Sequence, residues 1–302
     1  MRNAQRSSRF AQANRQIIVT GQSLGERMTN FKEALQFYLP GYSVRNVAIG
    51  GSGYSNLKKG TNSFAAAVQA GGDALVVIHG EYDATQNTSR ATYAGYLQEW
   101  RDDYAEALGK PDLKLLFSQV SSQLFDQYGT PTIADVCLGQ YDAALDGTHT
   151  GLYLSGPQYY LSYDPADYVH LTTAGCSWLG QKHAQIVARL LDTGDWTPLY
   201  PTHITRVGAA VTLHLSVPVG PLVFDTTTIA AHSEGAYGLE YDDAGGTIEI
   251  ASTPVIAGDT ITFNLSGTPS TTPRKIRYGF WPADGTTPVA NPYVTDSYYG
   301  GG

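Results

Sequence analysis

The feature that most constrains the fold is an alternation of short apolar runs with stretches of helical periodicity, from residue 16 to about residue 192. The apolar runs read QIIVT, YSVRNVAI, DALVVIHG and LKLLFSQV, and helical stretches such as ATYAGYLQEWRDDYAEALG separate them. Strands that alternate with helices form a mostly parallel sheet that is covered by helices on both faces. We therefore predict an α/β domain over residues 16–197.

The periodicity of the apolar residues changes to two after the segment Pro198–Pro201. The runs AAVTLHLSV, GTIEIAS, DTITFNLSG and KIRYGFW alternate apolar with polar residues, and Gly, Pro, Asp and Thr lie between them. Several short strands separated by turn residues are typical of an antiparallel β-sandwich. We predict such an accessory domain over residues 198–290, with a flexible stub at 1–15 and a flexible tail at 291–302.

Composition and charge exclude several classes of partner. A net charge of −8 and the lack of a basic stripe argue against nucleic-acid binding. No run approaches the ~18 apolar residues of a membrane span, so no membrane partner is predicted. Cys137 and Cys176 share no short spacing, and the histidines show no ligand spacing, so we predict no metal and no cofactor. The Arg-rich first 15 residues lack the apolar core of a secretory signal, which leaves localisation open.

The stretch IIVTGQSLGE has two interpretations. It matches G-x-S-x-G, the pattern of a nucleophilic serine on a strand-to-helix turn, with Ser23 in the middle. It also matches a capping box in which Ser23 begins a helix and Glu26 follows three residues later. An α/β-hydrolase is excluded because its serine follows several strands, whereas Ser23 follows the first one. The ten residues alone do not decide between a nucleophile and a helix cap.

Three further segments carry polar residues where strands end or a helix begins. The runs GGSG and HGEYD follow the second and third apolar runs, and working groups of α/β sheets gather at such carboxyl ends. In DPADYVH, Asp167 and His170 are three residues apart, a spacing that places two side chains on one face of a turn or helix. A serine nucleophile needs a base that is oriented by a third group. The sequence therefore offers Ser23, His170 and Asp167 as a candidate set.

The four segments GQS, IGGS, HGEYDA and DYVHLTTAG, in this order, resemble the conserved blocks of the SGNH (GDSL-like) hydrolases. The resemblance is to the carbohydrate-esterase branch, which includes sialate O-acetylesterases and acetylxylan esterases. It covers roughly residues 17–190. It implies a flavodoxin-like three-layer domain that hydrolyses an ester through an acyl-enzyme.

The resemblance also implies roles for individual residues. Ser23 matches the nucleophile, His170 the general base and Asp167 the residue that orients this base. The oxyanion donors of the family are the N–H of the nucleophile, here Ser23, a glycine N–H that falls on Gly51, and a side-chain amide in the third block. This chain has no amide there, and we expect His79 to take its place as donor.

Residues around the proposed site predict the substrate class. Tyrosine is unusually abundant, with 21 Tyr against 9 Phe, and its apolar face with a polar tip suits stacking on a sugar ring. We expect Glu81, Tyr82, Tyr160 and Tyr163 to form the substrate rim. Together with these tyrosines, the resemblance to the carbohydrate-esterase branch implies an esterase that removes O-acetyl groups from a carbohydrate.

One alternative function stays open at this stage. The altered third block favours a non-catalytic glycan-binding protein or a phage virion structural protein on a hydrolase frame. The identity of the glycan is open, and so is whether the chain forms a homo-oligomer.

Overall fold

The structure, a computed structural model of the 302-residue chain, describes residues 15–120, 135–158, 160–164, 166, 169–225, 236–243, 248–269, 274–278 and 299–300. Residues 1–14 of the predicted stub lie outside this set, as does most of the predicted tail. Within the described part, no helix is both long and apolar enough to cross a membrane. The domain boundaries given above stay predictions.

A parallel sheet forms the centre of the first half, as predicted, and it has five strands. Its strands are β1 Gln16–Gly21, β2 Ser43–Asn46, β3 Ala74–Ile78, β4 Lys114–Gln119 and β5 Leu152–Pro157. They lie in the order β2-β1-β3-β4-β5, with Ile17 of β1 opposite Val44 on one side and Ala74 on the other. This order is that of the flavodoxin-like doubly wound fold. In this fold β2 is added on one side of β1, and the later strands are added on the other side, beginning with β3.

Helices cover both faces of this sheet. They are α1 Ser23–Glu26, α2 Phe31–Tyr38, α3 Asn62–Ala70, α4 Glu81–Thr85, α5 Arg90–Leu108, α6 Asp135–Leu145 and α7 Thr173–Thr193, with a short 3-10 helix at Tyr54–Asn56. Leu75 and Val77 of β3 pack in one apolar cluster with α3, α5 and α6, whereas Val76 and Ile78 pack in a second cluster with α1, α2 and α7. Successive strand residues point to opposite faces, so a strand buried on both sides needs an unbroken apolar run.

The fifth strand was not predicted as a strand. Its segment was interpreted as the start of a Tyr-rich rim of the site, yet Leu152 and Leu154 are buried and Tyr153 donates its hydroxyl hydrogen to the carbonyl of Gly194 at 3.2 Å. The strand forms at the edge of the sheet by pairing with β4, where Leu115 lies opposite Leu152. Its polar and aromatic residues hide the apolar alternation that would have identified it.

The second half contains two antiparallel sheets. The first has the order β6-β7-β10-β9 and the second the order β12-β11-β8. Their strands are β6 Tyr200–Val207, β7 Ala210–Ser216, β8 Leu239–Asp243, β9 Val255–Ala257, β10 Thr260–Asn264, β11 Arg274–Tyr278 and β12 Tyr299–Gly300. Val211 and Phe263 of the first sheet share an apolar cluster with Leu239 and Ile276 of the second. The antiparallel pairing agrees with the prediction, and the complete β-sandwich stays a prediction.

Candidate active site

Ser23 lies on a sharp turn at the carboxyl end of β1. The strand ends at Gly21, whose φ of +122° is unfavourable for side chains and whose added Cβ would collide with the carbonyl of Ile78. The N–H of Gln22 donates to this same carbonyl at 2.9 Å, and α1 begins at the next residue. Only glycine lets the backbone pass this close to β3, so the turn directs Ser23 out of the sheet edge.

The hydroxyl of Ser23 faces the imidazole of His170. The distance from Ser23 Oγ to His170 Nε2 is 2.8 Å, although 147 residues separate the two in the chain. The capping-box interpretation is wrong, because α1 begins at Ser23 itself and its N-cap residue is Gln22, which makes no side-chain capping bond. The serine that this motif displays is therefore hydrogen-bonded to a base and does not cap its helix.

An isolated antiparallel β-bridge holds the loop that carries His170 in place. Tyr163 and Leu171 form an isolated β-bridge, and the N–H of Thr172 donates to the carbonyl of Ser162 at 2.8 Å. The Thr172 side chain then caps α7 by accepting from the N–H of Gly175 at 3.1 Å. The loop that carries His170 is thereby anchored to the start of a 21-residue helix. Asp167 lies outside the described residues, so its role stays a prediction.

The glycine-rich second block lies beside the nucleophile. A Cβ added to Gly50 would lie 3.8 Å from the Cβ of Ser23, which places this backbone against the serine. Gly51 follows with a φ of +68° and is exposed, and no heavy atom of the described residues lies within 4 Å of an added Cβ. The backbone next to Ser23 therefore borders open space, as a substrate site requires.

His79 is buried behind the site, and this placement corrects its predicted role as an oxyanion donor. Burial lowers the pKa of His79 to about 4, so the ring is neutral at pH 7 and carries one N–H. Its Nε2 lies 3.0 Å from the carbonyl of Ser52 and 3.3 Å from the Asp83 carboxylate, and both of these accept. The proton therefore sits on Nε2, and Nδ1 accepts from the Tyr93 hydroxyl at 2.9 Å. No N–H of His79 is left for an oxyanion.

The four predicted rim residues divide into two pairs. Glu81 and Tyr163 are buried, with 2% and 6% of their surface exposed, so neither belongs to a rim. Burial also raises the pKa of Glu81 to about 7. Tyr82 is 41% exposed, and Tyr160 is half-buried with the ammonium of Lys182 4.8 Å from the centre of its ring. Of the four, Tyr82 and Tyr160 are accessible.

One polar residue at the site was not singled out from the sequence. Gln22 is only 4% exposed, and its Oε1 accepts from the backbone N–H of Tyr82 at 3.2 Å. The bond ties the nucleophile turn to the start of α4. The sequence signal was a glutamine at a helix N-cap, where Ser, Thr, Asp or Asn is usual.

No site for a metal ion is formed by the residues that the structure describes, since none of their His, Cys, Asp and Glu side chains cluster in threes or more. Cys137 and Cys176 are both buried thiols. What the site does offer is a serine hydroxyl in hydrogen-bond contact with an imidazole at the carboxyl edge of a parallel sheet. Such a pair can activate the hydroxyl as a nucleophile.

Comparison with solved structures places this site in a known fold. A carbohydrate acetylesterase from Xanthomonas citri superposes with a TM-score of 0.58 at 12% sequence identity, over 88% of this chain and 75% of the esterase. Its identity is too low to carry more than the fold. The chain has the fold of SGNH-type hydrolases.

Two other solved structures match parts of the chain at lower TM-scores. An acetyl xylan esterase matches 57% of this chain and 99% of its own, with a TM-score of 0.42 and 17% identity. A protein from Arabidopsis thaliana matches 57% of this chain and 97% of its own, with a TM-score of 0.46 and 13% identity. No protein-family model and no curated protein sequence matches the chain.

Proposed function

We propose that this protein is a serine esterase that removes O-acetyl groups from a carbohydrate through an acyl-enzyme. The observation that carries the proposal is the 2.8 Å distance between His170 Nε2 and Ser23 Oγ. It lies within the range in which a general base takes the proton of its nucleophile. The SGNH-type fold supports the same class of reaction.

The proposed reaction has two halves. Ser23 Oγ attacks the ester carbonyl while its proton moves to His170 Nε2, and the oxyanion that forms accepts from the N–H groups of Ser23 and Gly51. The C–O bond to the sugar then breaks, and the sugar oxygen takes the proton from His170. Water, deprotonated by His170, attacks the acetyl-enzyme and releases acetate and free Ser23. Asp167 is proposed to orient the imidazole throughout.

Two observations support an acetylated carbohydrate as the substrate class. The ring of Tyr82 lies at the site, 41% exposed, and offers an apolar face of the kind that stacks on sugars. A solved structure that shares the fold over most of this chain is that of a carbohydrate acetylesterase.

The test compares p-nitrophenyl acetate with p-nitrophenyl octanoate for wild type, Ser23→Ala and His170→Ala. His149→Ala is the matched control, because His149 contacts Asp146 and Thr148 after α6 and belongs to no part of the site. We expect faster hydrolysis of the acetate and losses of about 10⁴-fold or more in kcat for the two site variants. Acetate release from acetylated xylan and from O-acetylated sialic acid then identifies the glycan. A wild type no faster than Ser23→Ala would overturn the proposal.

A second candidate is a glycan-binding protein without catalysis, on the hydrolase frame and of the kind found in phage virions. The observation that favours it is the third block, where no amide stands and His79 has no free N–H. Calorimetry would show that such a protein binds the glycan, yet the protein would release no acetate from it. The same set of variants therefore separates the two functions.

A further inference from the structure

We infer that the side-chain amide of Gln22 supplies the third oxyanion donor, the one that the third block lacks. The inference rests on the proposed esterase function. It assigns to Gln22 Nε2 a direct hydrogen bond to the oxygen that becomes negatively charged when Ser23 attacks. The donors would then be two backbone N–H groups and one side-chain amide from the residue that precedes the nucleophile.

The orientation of this amide is determined by its other end. A backbone N–H can only donate, so the atom of Gln22 that faces the N–H of Tyr82 at 3.2 Å is the oxygen, Oε1. The NH₂ group is therefore the other end of the amide, which this bond leaves unused. Within the part of the chain that the structure describes, this NH₂ group donates to no protein atom. Nearly buried N–H donors are normally hydrogen-bonded, so this one is available for a ligand.

The course of the Gln22 side chain places it along the site. It starts at the residue before Ser23 and reaches the N–H of Tyr82. The glycine loop joins the same two points, since an added Cβ at Gly50 would lie 3.8 Å from Ser23 Cβ and one at Gly53 would lie 2.7 Å from the Tyr82 ring. The Gln22 side chain and the glycine loop thus each link the neighbourhood of the nucleophile to Tyr82.

The burial of Gln22 makes its amide effective for this task. The residue is 4% exposed and its oxygen is already bound, so the donor is held in place before the substrate arrives. Donors that need no reorganisation during the reaction stabilise a developing negative charge far better than mobile water does. His79 cannot supply this donor, because its single N–H faces Ser52 and Asp83.

Two substitutions of Gln22 separate hydrogen-bond donation by its NH₂ group from anchoring of the Tyr82 N–H by its oxygen. Gln22→Glu keeps an oxygen that can accept from the N–H of Tyr82 but has no N–H, whereas Gln22→Met removes both functions at similar length. Gln86→Met, at the end of α4 and exposed, is the matched control. The readouts are kcat and KM for p-nitrophenyl acetate, the melting temperature, and inhibition by phenylboronic acid. Ser23 Oγ bonds to this boron, and the tetrahedral anion that results mimics the oxyanion.

We expect both Gln22 variants to lose about 10²–10³-fold in kcat, with KM within threefold of wild type. Inhibition by the boronic acid should weaken by at least tenfold, and Gln86→Met should behave as wild type. Near-wild-type kcat in Gln22→Glu together with a loss in Gln22→Met would overturn the inference, because the side chain would then only anchor Tyr82. If wild type is active and both variants stay within threefold, the inference fails while the proposed function stands. A wild type that hydrolyses no ester would overturn both.

Discussion

The backbone N–H of Asp164 donates to the carbonyl of His170 at 2.7 Å, and this bond closes the loop that carries the proposed base. The loop contains two aspartates, Asp164 and Asp167. The carboxylate of Asp164 accepts from the N–H of Ala166 at 2.9 Å and so is used within the loop. Asp167, three residues before His170, is the one that the family resemblance assigns to the imidazole.

The observed contact of Asp164 and the role that the resemblance gives to Asp167 predict unequal effects for the same isosteric change. Asp167→Asn should lower kcat for p-nitrophenyl acetate by about 10³–10⁴-fold, because an amide no longer holds the imidazole in the productive tautomer. Asp164→Asn keeps an oxygen that can accept from Ala166 and should lower kcat by less than tenfold. Steady-state kinetics on both variants make the comparison. A larger loss in Asp164→Asn would assign the orienting role to Asp164.

Tyr82→Ala is expected to weaken binding of the glycan and to leave the chemistry intact. The backbone N–H that donates to Gln22 remains, and the exposed ring that we propose to stack on the sugar is lost. KM for an acetylated glycan should rise about threefold to tenfold, for the ~0.5–1.5 kcal/mol of a ring contact. KM for p-nitrophenyl acetate should change little.

Tyr38→Ala is the control for this substitution, because Tyr38 at the end of α2 is 43% exposed and outside the site. Equal changes of KM for both esters in Tyr82→Ala would speak against stacking on the sugar.

The buried carboxyl of Glu81 is expected to lower the free energy of unfolding as the pH rises. Burial raises its pKa from 4.5 to about 7 in the folded protein, so the folded state holds the proton more tightly than the unfolded chain does. The stability that this group contributes is therefore complete below pH 4.5 and is lost as the pH rises through 7. Glu81→Gln stays neutral, so its free energy of unfolding should gain on that of wild type from pH 5 to pH 8, by up to about 3 kcal/mol. Urea denaturation at several pH values measures this difference.

Glu106→Gln is the matched control. Glu106 is exposed, and its hydrogen bond to Lys59 lowers the pKa of its carboxyl, so it stays ionised between pH 5 and pH 8. The difference in stability between this variant and wild type should be constant over that range. A constant difference for Glu81→Gln as well would contradict the burial of an ionisable carboxyl at this position.

Two glycines on neighbouring helices predict opposite effects of an added methyl group. Gly139 of α6 packs against α5 so closely that a Cβ would lie 2.5 Å from the carbonyl oxygen of Arg90. Gly139→Ala should therefore destabilise the protein by about 1–3 kcal/mol, because the helices must separate. Gly95 of α5 is exposed, and in the part of the chain that the structure describes nothing lies within 4 Å of an added Cβ. Gly95→Ala should therefore stabilise by roughly 0.5–1 kcal/mol. Thermal denaturation compares them, and a shift of the same sign in both would contradict this packing.

Local sequence patterns predicted much of the first half of the fold. The runs that became β1, β3 and β4 are nearly continuous in apolar residues because parallel strands are buried on both faces. The edge strand β5 escaped prediction because its residues Leu152–Pro157 are partly polar and pair on one side only. This segment is a strand because it pairs with β4, whereas its local strand propensity is weak.

In the candidate site too, some features follow from local sequence and others depend on tertiary packing. The sequence by itself determined that a Gly-Gln-Ser turn follows the first strand and that an Asp-x-x-His segment precedes the last long helix, since both depend on near neighbours in the chain. Only the tertiary structure decided that Ser23 contacts His170 and that Gln22 accepts a hydrogen bond from Tyr82. It also decided that both ring nitrogens of His79 are hydrogen-bonded, to Tyr93 and Ser52. These contacts join segments that are distant in the chain, so they depend on how the sheet and its helices pack.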